Sequence, residues 1–499
     1  MVNSSNAVGQ LKKSIGAGQF FTLSFAAIVG GGWIVVLGDW LGQSGPLGAI
    51  TAFLLASIVM MLVGLCYAEL VTMISVSGGE IAYAYEMFGL KTSFITGWFL
   101  VLVYIATTSF EAISTGWIAG ILFPGLRGQP LYTVRGAPVV SGSLILSLGA
   151  TVFLTILNYR STNSSAKFQS IFTYAKLGIS VVFVTVGLAW GKIDNLRPFF
   201  PRTGSGIPWN GILGVFVTAT FWLAGFNVVS QMIEEKKQDT SYRMIAAMLL
   251  LSIGAASLFY CFLILCCSMA MPWRDLLTLE FPAVGAFKAA FHSSFWAKMV
   301  LLSGLLGLFA TWNSFFIAAS RTLFALGRAR IIHPIFARVH PAFGTPTPSI
   351  LFVGVISGAG VVLGRGAIVP IVNMVSGCFV LMYLLVAVGV IRMRQIQPNR
   401  MRPYRIPGGV VIPVLATLAS LFMLFESFYL PYANGDGQIP LEWILFIGWA
   451  VVGVVVWSVA NGVRADVSES ERRKLILGCE RGAPALMNSP LGARSQETQ

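Results

Sequence analysis

An all-α membrane protein of about twelve transmembrane helices is the fold class this sequence predicts, and three observations carry it. Of the 499 residues, 56% are hydrophobic and only 10% charged, and the mean hydropathy is +0.79. A soluble domain usually carries about 25% charged residues. Apolar runs of roughly 20 residues recur along the chain, each enough to cross a hydrocarbon core about 30 Å thick as a helix. The runs are continuously apolar, which excludes an outer-membrane barrel with its strands of alternating polarity. Disorder, a collagen repeat and a secreted disulfide scaffold are excluded by the same figures.

Reading the runs against turn and charge punctuation places spans at 18–42, 47–74, 93–119, 139–157, 167–190, 209–233, 243–271, 297–327, 347–364, 367–391, 408–430 and 440–462. No cleavable signal peptide is visible, so the first run is expected to remain as span 1. The net charge of +14 is distributed by loop. With the N-terminus inside, 23 of the 33 Lys and Arg residues fall on the inner side and 9 on the outer, with Lys176 inside a span. That bias predicts cytoplasmic termini, 1–17 and 463–499, in a cell membrane, and it explains the charge without a nucleic-acid partner. Of the six cysteines, five lie inside apolar runs, and none has metal-ligand spacing with His292, His333 or His340. No metal site and no cofactor are expected.

Two spans are interrupted. Span 1 reads Phe25-Ala-Ala-Ile-Val-Gly-Gly-Gly-Trp33, and span 6 reads Phe221-Trp-Leu-Ala-Gly-Phe-Asn227. Each helical glycine costs about 1 kcal/mol relative to alanine. Close helix packing explains a single glycine such as Gly225, but it needs small residues on one face, not around a whole turn as in Gly30, Gly31 and Gly32. The alternative is an unwound segment, tolerated in hydrocarbon only where protein or a water-filled cavity satisfies the backbone. Half-helix N-termini present N–H donors to an anion, and half-helix C-termini present carbonyls to a cation. A zwitterion fits both: its carboxylate on the Gly31–Gly32 amides, its ammonium on carbonyls near Ile28, Val29, Phe221 and Ala224. Paired interruptions in matching halves point to a transporter site. Spans 1–5 (18–190) and 6–10 (191–391) would be inverted repeats, with spans 11 and 12 (392–462) appended.

Five motifs in order then resemble the amino acid–polyamine–organocation (APC) superfamily of permeases. These are the span 1 glycines; Phe221 through Asn227 to Glu234-Glu-Lys236; Ser77-Gly-Gly-Glu-Ile-Ala-Tyr-Ala-Tyr85 with Phe88-Gly; Ser320-Arg-Thr-Leu-Phe-Ala-Leu-Gly-Arg328 with Gly344-Thr-Pro346; and Arg402-Pro-Tyr-Arg-Ile-Pro-Gly-Gly409. The resemblance covers residues 18 to 462. It implies a leucine-transporter-like 5+5 inverted repeat with broken helices 1 and 6 plus two further helices, and secondary transport of an amino acid, an amine or a related cation. Many members carry an acid where this chain has Asn227, a departure that favours a neutral amino acid over arginine or a polyamine.

Lys176 lies near the middle of span 5, where a charged lysine costs roughly 2.5–3.5 kcal/mol on insertion scales. It is too far from either end to snorkel, so a coupling role is expected, through protons that a buried lysine exchanges more readily. In the resemblance, a lysine here fills the place of sodium in sodium-coupled relatives, which implies sodium-independent, proton-coupled or exchange transport. Glu111 could neutralise a lysine or face the outer vestibule; Asn313 and Ser314 could line the cavity or bond between helices. Asn373 and Ser376 carry the same ambiguity. Phe221 is the expected gate over the unwound segment. Glu69 and Glu426 are expected in solvated or interfacial positions near span ends, and the tail with Leu475-Ile-Leu477 on the anionic inner leaflet or without order.

An integral membrane enzyme would need a clustered catalytic set at one face, and none is visible. A channel would show a repeated filter or rings of like charge. No Gly-Lys-Ser/Thr phosphate loop is present, so the chain is not expected to be ATP-driven. A permease for an amino acid remains, with a small amine or polyamine as the alternative substrate and a channel or sensor as the remote one.

Overall fold

Gly45 decides how the first two predicted spans meet. In the computed structural model, which describes residues 15–76, 78–126, 128–160, 162–201, 208–279, 281–433 and 439–477, α1 (Ala17–Ile28) is followed by α2 (Trp33–Met73). At 1.5 Å per residue α2 would be about 62 Å long, twice a hydrocarbon core. It is two helices joined at Gly45, whose φ of 71° lies in the left-handed region, with Pro46 restarting the second. A Cβ at Gly45 would lie 2.7 Å from the Phe199 carbonyl oxygen, which accepts from the Leu47 amide at 3.2 Å.

The chain continues through the short α3 (Glu80–Phe88) and α4 (Leu90–Leu122). Then comes an antiparallel hairpin of β1 (Pro130–Val134) and β2 (Ala137–Val140). This hairpin corrects the all-helical expectation for that loop. It is anchored where Tyr132 donates its hydroxyl to the Val362 carbonyl at 2.6 Å. α5 (Ser141–Arg160), α6 (Thr162–Trp190), α7 (Trp209–Trp222), α8 (Val228–Met232) and α9 (Tyr242–Ala270) follow. Two short helices, α10 (Trp273–Leu276) and α11 (Pro282–Phe291), precede α12 (Ser294–Arg328). The rest is α13 (Thr347–Val361), α14 (Ile368–Ile396), α15 (Val411–Ala433), α16 (Leu441–Val459), α17 (Asn461–Ala465) and α18 (Glu469–Leu477).

Among the described residues, nine helices are long and apolar enough to cross a membrane. α4, α12 and α14 are the most buried of these, and α5, α6, α15 and α16 the least. α12 packs on α4 and α6, and α2 packs on α7 and α9. The outer helices turn Ile145, Val181, Leu418 and Val454 outward, as a bilayer-facing surface requires. α16 is held to α4 by a reciprocal pair: the Trp98 indole donates to the Trp449 carbonyl at 3.0 Å, and the Trp449 indole to that of Trp98 at 2.9 Å.

Two expectations are corrected. Glu69 is not solvated: it is 1% exposed, salt-bridged to Arg394 at 2.7 Å and Arg402 at 3.3 Å, and it accepts from the Ile406 amide. Loop arginines folding back onto the end of a span enclose it. The tail is likewise folded onto the protein. Ile476 and Leu477 are buried, and Arg473 meets Glu86 of α3 at 2.6 Å. Cys479 and Arg494 lie outside the described residues.

Candidate functional site: two broken helices in contact

Both interrupted spans unwind. α1 ends where Val29 donates to the Phe25 carbonyl at 2.8 Å, and helix resumes at Trp33; α7 ends at Trp222, and helix resumes at Val228. The two breaks touch. Gly225 has φ +116°, and a Cβ on it would lie 2.6 Å from the carbonyl carbon of Ala27, so only glycine brings these backbones together. The amides of Gly30, Gly31 and Gly32, and of Gly225, Phe226 and Asn227, donate to no protein acceptor among the described residues. All six residues are buried. Buried backbone donors nearly always have partners, so these two runs of N–H groups are left for an acceptor outside the protein's own backbone.

Packing and unwinding occur together at the three glycines. A Cβ on Gly31 would fall 2.0 Å from the Gly304 carbonyl oxygen of α12, one on Gly30 would lie 2.8 Å from Thr311 Oγ1 and one on Gly32 2.6 Å from the Trp222 ring. The unwound turn is thus surrounded by α12 on one side and by aromatic rings on another.

Three of the four carbonyls expected to take an ammonium, those of Ile28, Val29 and Phe221, already accept from the protein, which changes that part of the zwitterion arrangement. The Ile28 carbonyl accepts from the Tyr260 hydroxyl at 3.1 Å, and the Val29 carbonyl accepts from Lys176 Nζ. The Phe221 carbonyl accepts from Ala224 at 3.3 Å. Lys176 is 1% exposed, and a Cβ on Gly307 would lie 2.9 Å from its Cδ, so it reaches the first break from α6 alongside α12. Glu111 is 3% exposed and acts electrostatically on Lys176. Its Oε1 lies 3.5 Å from a Cβ built on Gly30, and its Oε2 has no hydrogen-bond partner. Glu111 therefore belongs beside the break.

Asn313 and Ser314 of α12 are both buried. Asn313 Oδ1 accepts from Asn158 of α5 at 2.9 Å, and Ser314 Oγ donates to Ala310 of its own helix at 3.0 Å. Phe221 joins a ring cluster with Phe110 (5.6 Å between centroids) and Trp222 (4.8 Å). Trp222 was not singled out from sequence, yet its ring covers Gly32 and also lines a cavity of about 530 Å³. Asp39, Gln43, Asn373, Ser376 and Glu442 line the same cavity, which opens on the face opposite the termini.

Asn227 points elsewhere. Its Nδ2 donates to Glu80 Oε1 at 3.0 Å and to the Tyr104 hydroxyl at 2.8 Å. Glu80 is fully buried and also accepts from Tyr67 (3.1 Å), Ser230 (2.9 Å) and Gln231 (2.7 Å). Sequence reasoning quoted Glu80 only inside a motif. An acid directly after two glycines and before an apolar helix was the available signal. Near the start of α1 the Lys237 backbone amide donates to the Ile15 carbonyl at 2.9 Å, and Arg328 pairs with Glu234 at 3.5 Å. Among the described residues no His, Cys, Asp or Glu group is arranged to hold a metal.

Long apolar helices around two touching helix breaks, with a cavity that reaches Trp222 beside them, are the architecture of a multi-pass membrane permease. Residues 15–456 match the amino acid permease family, and the chain belongs to it. It is 26% identical over 474 residues to the branched-chain amino acid permease BcaP of Bacillus subtilis (strain 168), covering 92% of this chain and 95% of that protein. It is similar to the methylthioribose transporter of the same organism, at 25% over 90% and 93%. It is also similar to the human Asc-type amino acid transporter 1, at 28% over 84% and 78%. The chain is a transporter and not an enzyme.

Proposed function

We propose that the protein carries an amino acid across the cytoplasmic membrane by alternating access, with both termini in the cytoplasm. Twelve crossings are counted when α1 with the first part of α2, and α7 with α8, are each taken as one broken span. Residues 18–190 and 191–391 then form the two inverted halves of a leucine-transporter-like fold, and 392–462 the appended pair. The observation that carries the reading is the pair of touching breaks with six buried amides free of protein acceptors.

The substrate carboxylate sits on the Gly30–Gly32 amides. The ammonium is taken by Glu111 Oε2, since Lys176 and Tyr260 hold the Val29 and Ile28 carbonyls. Gly225 and Ala224 complete the pocket, with Phe221 and Trp222 closing it from the cavity side. Lys176 couples the cycle. A charged lysine holds the Val29 carbonyl more strongly than a neutral amine does, so its tie between the first break and α6 depends on protonation, in keeping with sodium-independent transport driven by protons or exchange.

The names of the relatives include branched-chain amino acids and a methylthio sugar, which favours a neutral substrate with an apolar side chain. A small amine is the second reading, supported by the unpartnered Glu111 oxygen. Saturable uptake into proteoliposomes in sodium-free buffer tests this. Leucine, alanine, arginine, putrescine and methylthioribose are offered with and without an inward proton gradient. Gradient-stimulated uptake of a neutral amino acid is expected. Uptake of putrescine alone would remove the carboxylate from the glycine amides, and uptake only with sodium would overturn the coupling.

A further inference from the structure

The buried Glu80 carboxylate is out of reach of the outer cavity, yet it is the most heavily bonded side chain near either break. Its four donors come from α2 (Tyr67) and from the second break and α8 (Asn227, Ser230, Gln231). All four are uncharged, so this is not an ion pair made for stability. The turn before it is built for the contact. Gly78 and Gly79 have φ of 101° and 40°, and a Cβ on Gly79 would lie 2.4 Å from Ser230 Oγ. Only glycine lets the start of α3 press against α8.

The far end of α3 is fixed. Glu86 meets Arg473 of α18 at 2.6 Å and Arg400 at 3.3 Å, and accepts from Gln397 at 2.7 Å. α3 is therefore a short strut, tied at Glu86 to the α14–α15 loop and the tail, and gripping the half-helix α8 at Glu80. α8 has only 5 residues, too few to hold its place by helical bonding alone.

We propose that Glu80 is the positioning residue that fastens the terminal-face gate of the transporter: three of its four hydrogen bonds hold the inner half of the second broken helix shut, and opening towards the terminal face requires their release. This deepens the carrier reading and rests on it.

The test uses full-length protein in inside-out vesicles. A cysteine is placed at Val229, buried on α8, and its labelling by a membrane-impermeant maleimide is measured against the parent without it. Glu80→Ala is expected to raise the labelling rate at least tenfold. Glu80→Gln, which keeps an acceptor oxygen, is expected to restore most of the protection. Labelling in Glu80→Ala equal to that of the wild type would overturn the proposal. If Glu80→Ala does not fold, Ser230→Ala with Gln231→Leu removes two of the donors and keeps the acid. A threefold rise is then expected, and no change overturns the proposal. A wild type that never labels while Glu80→Ala labels fast would keep the fastening role and remove alternating access instead.

Discussion

The ammonium of Lys176 on α6 donates to the carbonyl of Val29, the residue at which α1 unwinds. A buried cation from one helix thus caps the C-terminal end of a half-helix, where the dipole favours positive charge. Lys176→Ala would leave that carbonyl without its donor, at a cost of about 1–3 kcal/mol, and would leave Glu111 without the positive charge near it. Uptake in proteoliposomes is expected to fall at least tenfold and to stop responding to an imposed proton gradient. Full, gradient-dependent uptake by the variant would end the coupling role.

Glycines at the breaks separate from glycines elsewhere. Gly31→Ala would put a Cβ 2.0 Å from the Gly304 oxygen, and Gly225→Ala combines a 2.6 Å contact with a left-handed φ of +116°. Each is expected to abolish uptake and to lower the midpoint of thermal unfolding in detergent. Gly18 lies within α1 with nothing inside 4 Å of its would-be Cβ. Gly18→Ala is expected to leave uptake unchanged and to stabilise by roughly 0.5–1 kcal/mol. Equal effects at all three positions would mean that close approach is not what the break glycines supply.

Glu69 holds Arg394 and Arg402 at the end of α2 and receives the Ile406 amide. Removing one partner of a buried ion pair costs about 3–5 kcal/mol because the other charge is left uncompensated. Glu69→Gln is expected to lower thermal stability by that order while leaving substrate affinity intact. A variant as stable as the wild type would mean that water reaches the arginines.

What was legible from sequence followed from local composition. Runs of apolar residues, three adjacent glycines and a lysine far from either span end each carry their meaning within one helix, and the two breaks and buried Lys176 stand where those signals put them. What was not legible depends on pairs far apart in the chain. Glu69 looked solvated because Arg394 and Arg402 are more than three hundred residues away. Asn227 looked like a substrate ligand because its partner, Glu80, sits on another element. Trp222 was passed over beside Phe221 because no sequence pattern shows which of two adjacent rings covers Gly32.

Acidity should act on the Glu80 gate with a definite sign. Burial pushes the Glu80 carboxyl up from its ordinary 4.5, whereas opening to water returns it towards that value. The closed gate therefore binds a proton more tightly than the open one, and lowering the pH through the window above 4.5 favours closure. The titratable groups facing Glu80 are the phenols of Tyr67, Tyr83, Tyr104 and Tyr383, uncharged near neutral pH, so they add no competing slope. Maleimide labelling of Val229→Cys, corrected for reagent chemistry with a solvent-exposed cysteine, is expected to slow as pH falls, by at most about tenfold per unit. In Glu80→Gln it should be flat. Labelling that quickens with acid in the wild type would mean that the four donors hold an ionised carboxylate more strongly than burial opposes it.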